Sequence, residues 1–97
     1  MAGYLIANYR VTKPEAYAAY PPAVTATLLA HGAEILVADY ESQIVENEAS
    51  NVTIVLKFPS KEAARAWYDS REYQEIIHSR IDNTEGFVLF ADEFKMP

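Results

Sequence analysis

Residues 58–74 read FPSKEAARAWYDSREYQ, and the fold follows from how this stretch is punctuated. Phe58 closes the run Val52 to Phe58 (VTIVLKF), which is nearly all β-branched or apolar, as a strand with little polar character on either face reads. Pro59 has no N–H to give a ladder and stops the strand. Ser60 is placed to accept a backbone N–H from the first turn of a helix that runs to about Asp69. Ser70 repeats the device and opens a further helical segment to about Arg80.

Upstream, Gly3 to Val11 is rich in Tyr, Leu, Ile and Val and predicts the first strand. Thr12-Lys13-Pro14-Glu15 has the spacing of a capping box, with Pro14 in the first turn. A helix is expected from there to about Ala30, kinked or broken at Pro21-Pro22. His31-Gly32 ends it, the glycine suiting a left-handed cap. Ala33 to Val45 predicts a second strand with a twist or bulge near Asp39-Tyr40, and Glu46 to Asn51 is a polar turn. Downstream, Ile81 to Glu85 is a connection and Gly86 opens the last strand, Phe87 to Phe94. The order β-α-β-β-α-β, in one α+β domain over residues 1–97, is the ferredoxin-like arrangement. It places both helical regions on one face of a four-stranded antiparallel sheet.

The other sheet face raises the question of a partner. Phe87, Leu89 and Ala91 alternate with Val88 and Phe90, and Val52, Ile54 and Leu56 alternate with Val55 and the methyl of Thr53. Both sets are apolar, whereas a face left in water is expected to be polar at alternate positions. Apolar burial stabilises by about 25 cal/mol per Å², so the uncovered face is expected to meet a second copy of the chain. Two sheets face to face form a homodimeric α/β barrel.

Composition narrows function. The chain has 97 residues, half of them apolar, and a net charge of −6, so clustered basic residues for phosphate contacts are missing and nucleic-acid binding is not expected. No cysteine is present, which removes disulfides and thiolate chemistry and fits a cytoplasmic protein. No apolar run is long enough for a membrane span. The two histidines show no metal-ligand spacing, and neither a nucleophile elbow nor a phosphate-cradling glycine loop occurs, so no metal and no cofactor is expected.

Pro14-Glu15-Ala16-Tyr17 with Tyr20, then Gly32, then Phe58-Pro59-Ser60, Glu62-Ala63-Ala64, Ala66-Trp67-Tyr68, Ser70, Glu72-Tyr73-Gln74 and finally Arg80 together resemble the DUF1330 family across essentially the whole chain. Arg71 departs from the proline usual there, and Lys57 and Ala38-Asp39-Tyr40 also depart from the family pattern. The resemblance implies a ferredoxin-like fold and a dimeric α/β barrel, and it implies no established reaction.

Among candidate site residues, Tyr17 and Tyr20 are spaced to share a helix face, and Trp67 and Tyr73 follow on the later helical segments. Such aromatics either pack the core or line a pocket for a planar ligand with their hydroxyls as orienting donors. Arg80, at a family-matched position, suits an anionic group held bidentately. Histidine is the usual general acid or base near neutral pH, and His78, with Tyr73, is the candidate for that role. The plainer readings are an ion pair for Arg80 and a helix-end contact for His78. Three functions are compatible with these residues: a cofactor-independent enzyme acting on a small anionic molecule, a non-catalytic binding or sensing module, and a purely structural dimer.

Overall fold

The computed structural model describes residues 1–97. Nine elements follow in order: β1 (Gly3–Val11), α1 (Pro14–Tyr17), α2 (Tyr20–Leu29), β2 (Glu34–Asp39), β3 (Val52–Phe58), α3 (Lys61–Tyr68), α4 (Arg71–Gln74), α5 (His78–Ile81) and β4 (Thr84–Asp92). The sheet has the order β2-β3-β1-β4, with every neighbouring pair antiparallel. This is the ferredoxin-like arrangement read from the sequence. No helix is long and apolar enough to cross a membrane.

The two serine caps form. Ser60 Oγ accepts the Ala63 N–H at 3.0 Å, and Ser70 Oγ accepts that of Tyr73 at 3.2 Å. The first helical region departs from expectation in two ways. The capping box does not form: Lys13 sits at the cap without a side-chain bond, and the Thr12 N–H is instead taken by the Asn83 carbonyl at 2.8 Å. The helix is interrupted at Ala18-Ala19 rather than at the prolines. Pro21 and Pro22 lie in the first turn of α2, where their missing N–H groups cost nothing. Gly32 adopts φ 67°, the left-handed cap, and His31 Nδ1 lies 3.1 Å from the Thr27 carbonyl.

β2 is shorter than expected. Asp39 Oδ1 accepts the Glu41 N–H at 2.8 Å and turns the chain away from the sheet. The register shift falls between Ile35 and Val37, earlier than the sequence suggests. β4 begins earlier than expected, so Gly86 lies inside the strand, opposite Tyr9. A Cβ at Gly86 would collide with the Asn8 carbonyl oxygen and the Tyr9 backbone. The sheet therefore needs glycine here to keep β1 and β4 close beneath the Tyr9 ring.

The register sorts the two faces into rows. Toward the helices lie Leu5, Ala7 and Tyr9 of β1 with Val52, Ile54, Leu56 and Phe58 of β3, joined by Trp67, Tyr73 and Ile77 in the buried core. Away from the helices, Val37, Val55, Ile6 and Leu89 form one row across all four strands. Phe87 and Leu89 are 52% and 44% exposed, an amount of apolar surface that a soluble face seldom carries.

Candidate functional site

The inner face is not packed solid. One cross-strand row there reads Ala38, Ile54, Ala7 and Val88, and two alanines in four positions leave room above the sheet. The room is a cavity of about 160 Å³, floored by that row, roofed by Tyr20, Val24 and Leu28 of α2, and closed by Trp67 and Tyr73. Its walls are overwhelmingly hydrophobic, with a few polar groups aimed inward, as small-molecule sites usually are.

Those polar groups form two hydrogen-bonded sets. In the first, the Tyr20 and Tyr73 hydroxyls lie 2.7 Å apart, and Arg80 Nε donates to Tyr73 Oη at 3.3 Å. In the second, the hydroxyls of Tyr9, Tyr17 and Tyr40 form a chain, with steps of 2.6 Å and 2.7 Å. Although Tyr17 ends α1 and Tyr20 starts α2, Ala18 and Ala19 between them keep right-handed helical backbone angles, and this i,i+3 spacing sets the two rings 5.7 Å apart. Trp67 stacks on Tyr73 at 4.0 Å between centroids, and its Nε1 donates to Thr27 Oγ1 at 2.9 Å. That bond fixes the indole in the cavity wall.

Arg80 is the only ionised group on the cavity wall. It is 8% exposed, and no carboxylate lies within ion-pair reach of its guanidinium. Burial opposes its charge, but the neighbouring Tyr73 and Tyr20 hydroxyls outweigh that and its pKa is raised. Burial also raises the tyrosines. Tyr9 is pushed up to about 12, chiefly by desolvation and against the opposing bond from Tyr17. Tyr17 and Tyr20 rise as well, first through desolvation and then through the partner hydroxyls Tyr40 and Tyr73. At neutral pH the Tyr9, Tyr17 and Tyr20 hydroxyls therefore keep their protons beside one cation.

Of the residues singled out by sequence, the structure brings Tyr17, Tyr20, Trp67, Tyr73 and Arg80 to one cavity. It does not bring His78 there. The imidazole is on the surface, with Nδ1 3.4 Å from Asp82 Oδ1, so an exposed i,i+4 pair replaces the expected catalytic placement. Sequence reasoning missed Tyr9, Tyr40 and Thr27. Tyr9 was findable, since it alternates in phase with Leu5 and Ala7 on β1; Tyr40 lies beyond the end of β2 and gives no periodic signal.

The fold has solved counterparts. A crystal structure of a protein of unknown function from Rhodopseudomonas palustris superposes with TM-score 0.75 at 15% identity, covering 98% of this chain and 84% of that one. A methylated form of that protein gives TM-score 0.79 at 16% identity, over 97% and 82% of the two chains. An antibiotic biosynthesis monooxygenase gives TM-score 0.54 at 14% identity, over 98% and 100%. At these identities the likeness is one of fold. No curated protein matches the sequence. The family model described as a domain of unknown function, DUF1330, matches residues 2–94, and the chain belongs to that family.

Proposed function

We propose that the cavity binds a small organic monoanion, its carboxylate on the Arg80 guanidinium and its apolar body among Trp67, Tyr73 and Tyr20. One observation carries the reading: a buried arginine that faces an apolar cavity with no carboxylate partner. A buried cation without a counter-ion is expensive. An anionic ligand supplies the missing partner, and a planar fork suits a carboxylate.

The test is calorimetric titration of benzoate, phenylacetate and hexanoate into the wild type and Arg80→Gln. At least one is expected to bind, and the substitution is expected to weaken it by about 2–5 kcal/mol, as for a buried charge pair. Equal binding by both proteins, or equal binding of the neutral amides, would overturn the reading.

The wall favours binding or sensing over acid–base catalysis, because it carries no histidine, lysine or carboxylate. One observation speaks for an enzyme: the Tyr9–Tyr17–Tyr40 chain joins the buried Tyr9 to Tyr40, an exposed residue. Such a chain can pass a proton between a bound molecule and solvent. A cofactor-independent reaction, for which the monooxygenase fold is only an analogy, would use it, and turnover lost in Tyr17→Phe with binding retained is the signature to seek.

We further propose that the outer sheet face joins two copies through a two-fold axis. Its central row is wholly apolar, and Glu34 and Lys57 stand opposite each other beside it, which leaves the rim self-complementary in charge.

A further inference from the structure

Resting on the anion-binding reading, we infer that ligands enter head-first between α2 and β2 and bind with the carboxylate deep and the tail at that mouth. The cavity has wall residues on every strand, from Ile35 and Ala38 of β2, under β3 and β1, to Val88 of β4. Its two ends differ. At the β2 end, Thr25, Ile35, Ala38 and Tyr40 are all exposed, so the wall opens to solvent there. At the other end stands Arg80, buried and anchored beside β4, where its carbonyl accepts the Thr84 hydroxyl at 2.8 Å. The strands at these ends, β2 and β4, lie on opposite edges of the sheet, three strand spacings or roughly 14 Å apart. Tyr73 and Tyr20 flank the guanidinium closely on the inner side, so atoms next to the carboxylate are confined while atoms at the tail are not.

A rival route exists. A shallower groove outside Arg80, between α5 and β4, is lined by Tyr68, Ile81, Thr84 and Phe87, and Tyr9, Arg80 and Val88 separate it from the cavity. Entry there would place the tail on the opposite side of the guanidinium. The two routes make opposite demands on ligand shape and on which rim residue blocks access.

The experiment uses two isomeric probes: hexanoate with a dansylamino group on its terminal carbon, and hexanoate with the same group on the carbon beside the carboxylate. Fluorescence titration of the wild type is expected to show the terminal isomer binding about ten-fold or more tightly than the other. Thr25→Trp, at the α2–β2 mouth, is expected to slow association of the terminal isomer about ten-fold, with Ile81→Trp close to wild type. Thermal melts of both variants confirm that they fold. If unlabelled hexanoate binds in an Arg80-dependent way but the isomers bind equally, or Ile81→Trp is the variant that blocks, the orientation is wrong and the anion site stands. If no carboxylate binds in an Arg80-dependent way, the anion site itself is wrong and the orientation falls with it.

Discussion

On the outer face of the sheet, Val37, Val55, Ile6 and Leu89 line up across four strands; one residue along each strand, the inner row is Ala38, Ile54, Ala7 and Val88. Both rows are apolar, and they serve different neighbours. The outer row is branched, even in height and without a buried polar atom, which suits a flat partner such as its own symmetry mate. The inner row is uneven. Its alanines hold the roof off the floor, and an arginine and five tyrosines surround the space that results. Apolar patterning alone does not separate an interface from a ligand site; side-chain size along the row, and the presence of an unpaired charge, do.

The largest effect belongs to the outer row. Leu89 points outward, whereas Phe90 turns inward to meet the Tyr68 ring at 5.9 Å. Leu89→Asp would place a charge at the centre of the proposed contact, which costs several kcal/mol when desolvated and unpaired. Sedimentation of the wild type is expected to give about twice 10.9 kDa, and Leu89→Asp to give monomer or unfolded chain. A wild type that stays monomeric at micromolar concentration ends the dimer proposal.

On the inner row, Ala7→Leu is expected to abolish carboxylate binding while shifting stability by no more than about 1 kcal/mol. Adding methylenes to a filled core typically costs about 1–3 kcal/mol, but Ala7 faces about 160 Å³ of space. Chemical denaturation and calorimetric titration of the same variant separate the two outcomes. A loss well beyond that range would mean that the row is already filled.

The hydroxyl sets give the inner face a pH signature. A buried tyrosine whose pKa is raised holds its proton in the folded state where the unfolded chain has lost it. Stability is then fully present below the unfolded value near pH 10 and falls as pH rises through the folded one. For Tyr9 that window is pH 10 to about 12, and Tyr17 and Tyr20 extend the loss in the same direction. Melting temperatures should fall steeply above pH 10, and less steeply in Tyr9→Phe. A profile that is flat to pH 11.5 would show that these phenols ionise as freely folded as unfolded.

How much of this was legible in the sequence follows from the range of the interactions. β1, β3 and the Ser60 and Ser70 caps are decided within a few residues, and they were readable. The early start of β4 was not, because Gly86 serves a backbone contact with Asn8 and Tyr9, far away in sequence. Thr12 looked like a helix cap, yet the carbonyl of Asn83 satisfies its neighbourhood instead. Arg80 and the four aromatics were found because their spacing or family position flagged them. His78 was drawn in by sequence proximity to Arg80, but two positions along a helix turn point in different directions. No local signal could reveal that Arg80 lacks a carboxylate, since that depends on every element packed around it.

The smallest expected effect is opposite in sign to the others. If Arg80 is retained for a ligand and not for the fold, replacing it with an apolar side chain of similar length should not weaken the empty protein. Arg80→Met removes a buried charge that has no carboxylate partner and costs one hydrogen bond to Tyr73 Oη, whose hydroxyl keeps its bond to Tyr20. Exchange of buried ionic groups for well-packed apolar ones is often neutral or stabilising, and lost function is the recurrent cost of such gains. The variant is expected to match or exceed the wild type by up to about 1 kcal/mol without ligand, and to fall below it once a binding carboxylate is added, because only the wild type gains from mass action. Thermal melts with and without hexanoate test both halves together. A ligand-free variant less stable by more than about 1 kcal/mol, beyond a typical hydrogen bond, would make Arg80 a structural residue, and the inner face would then differ from the outer only in its packing.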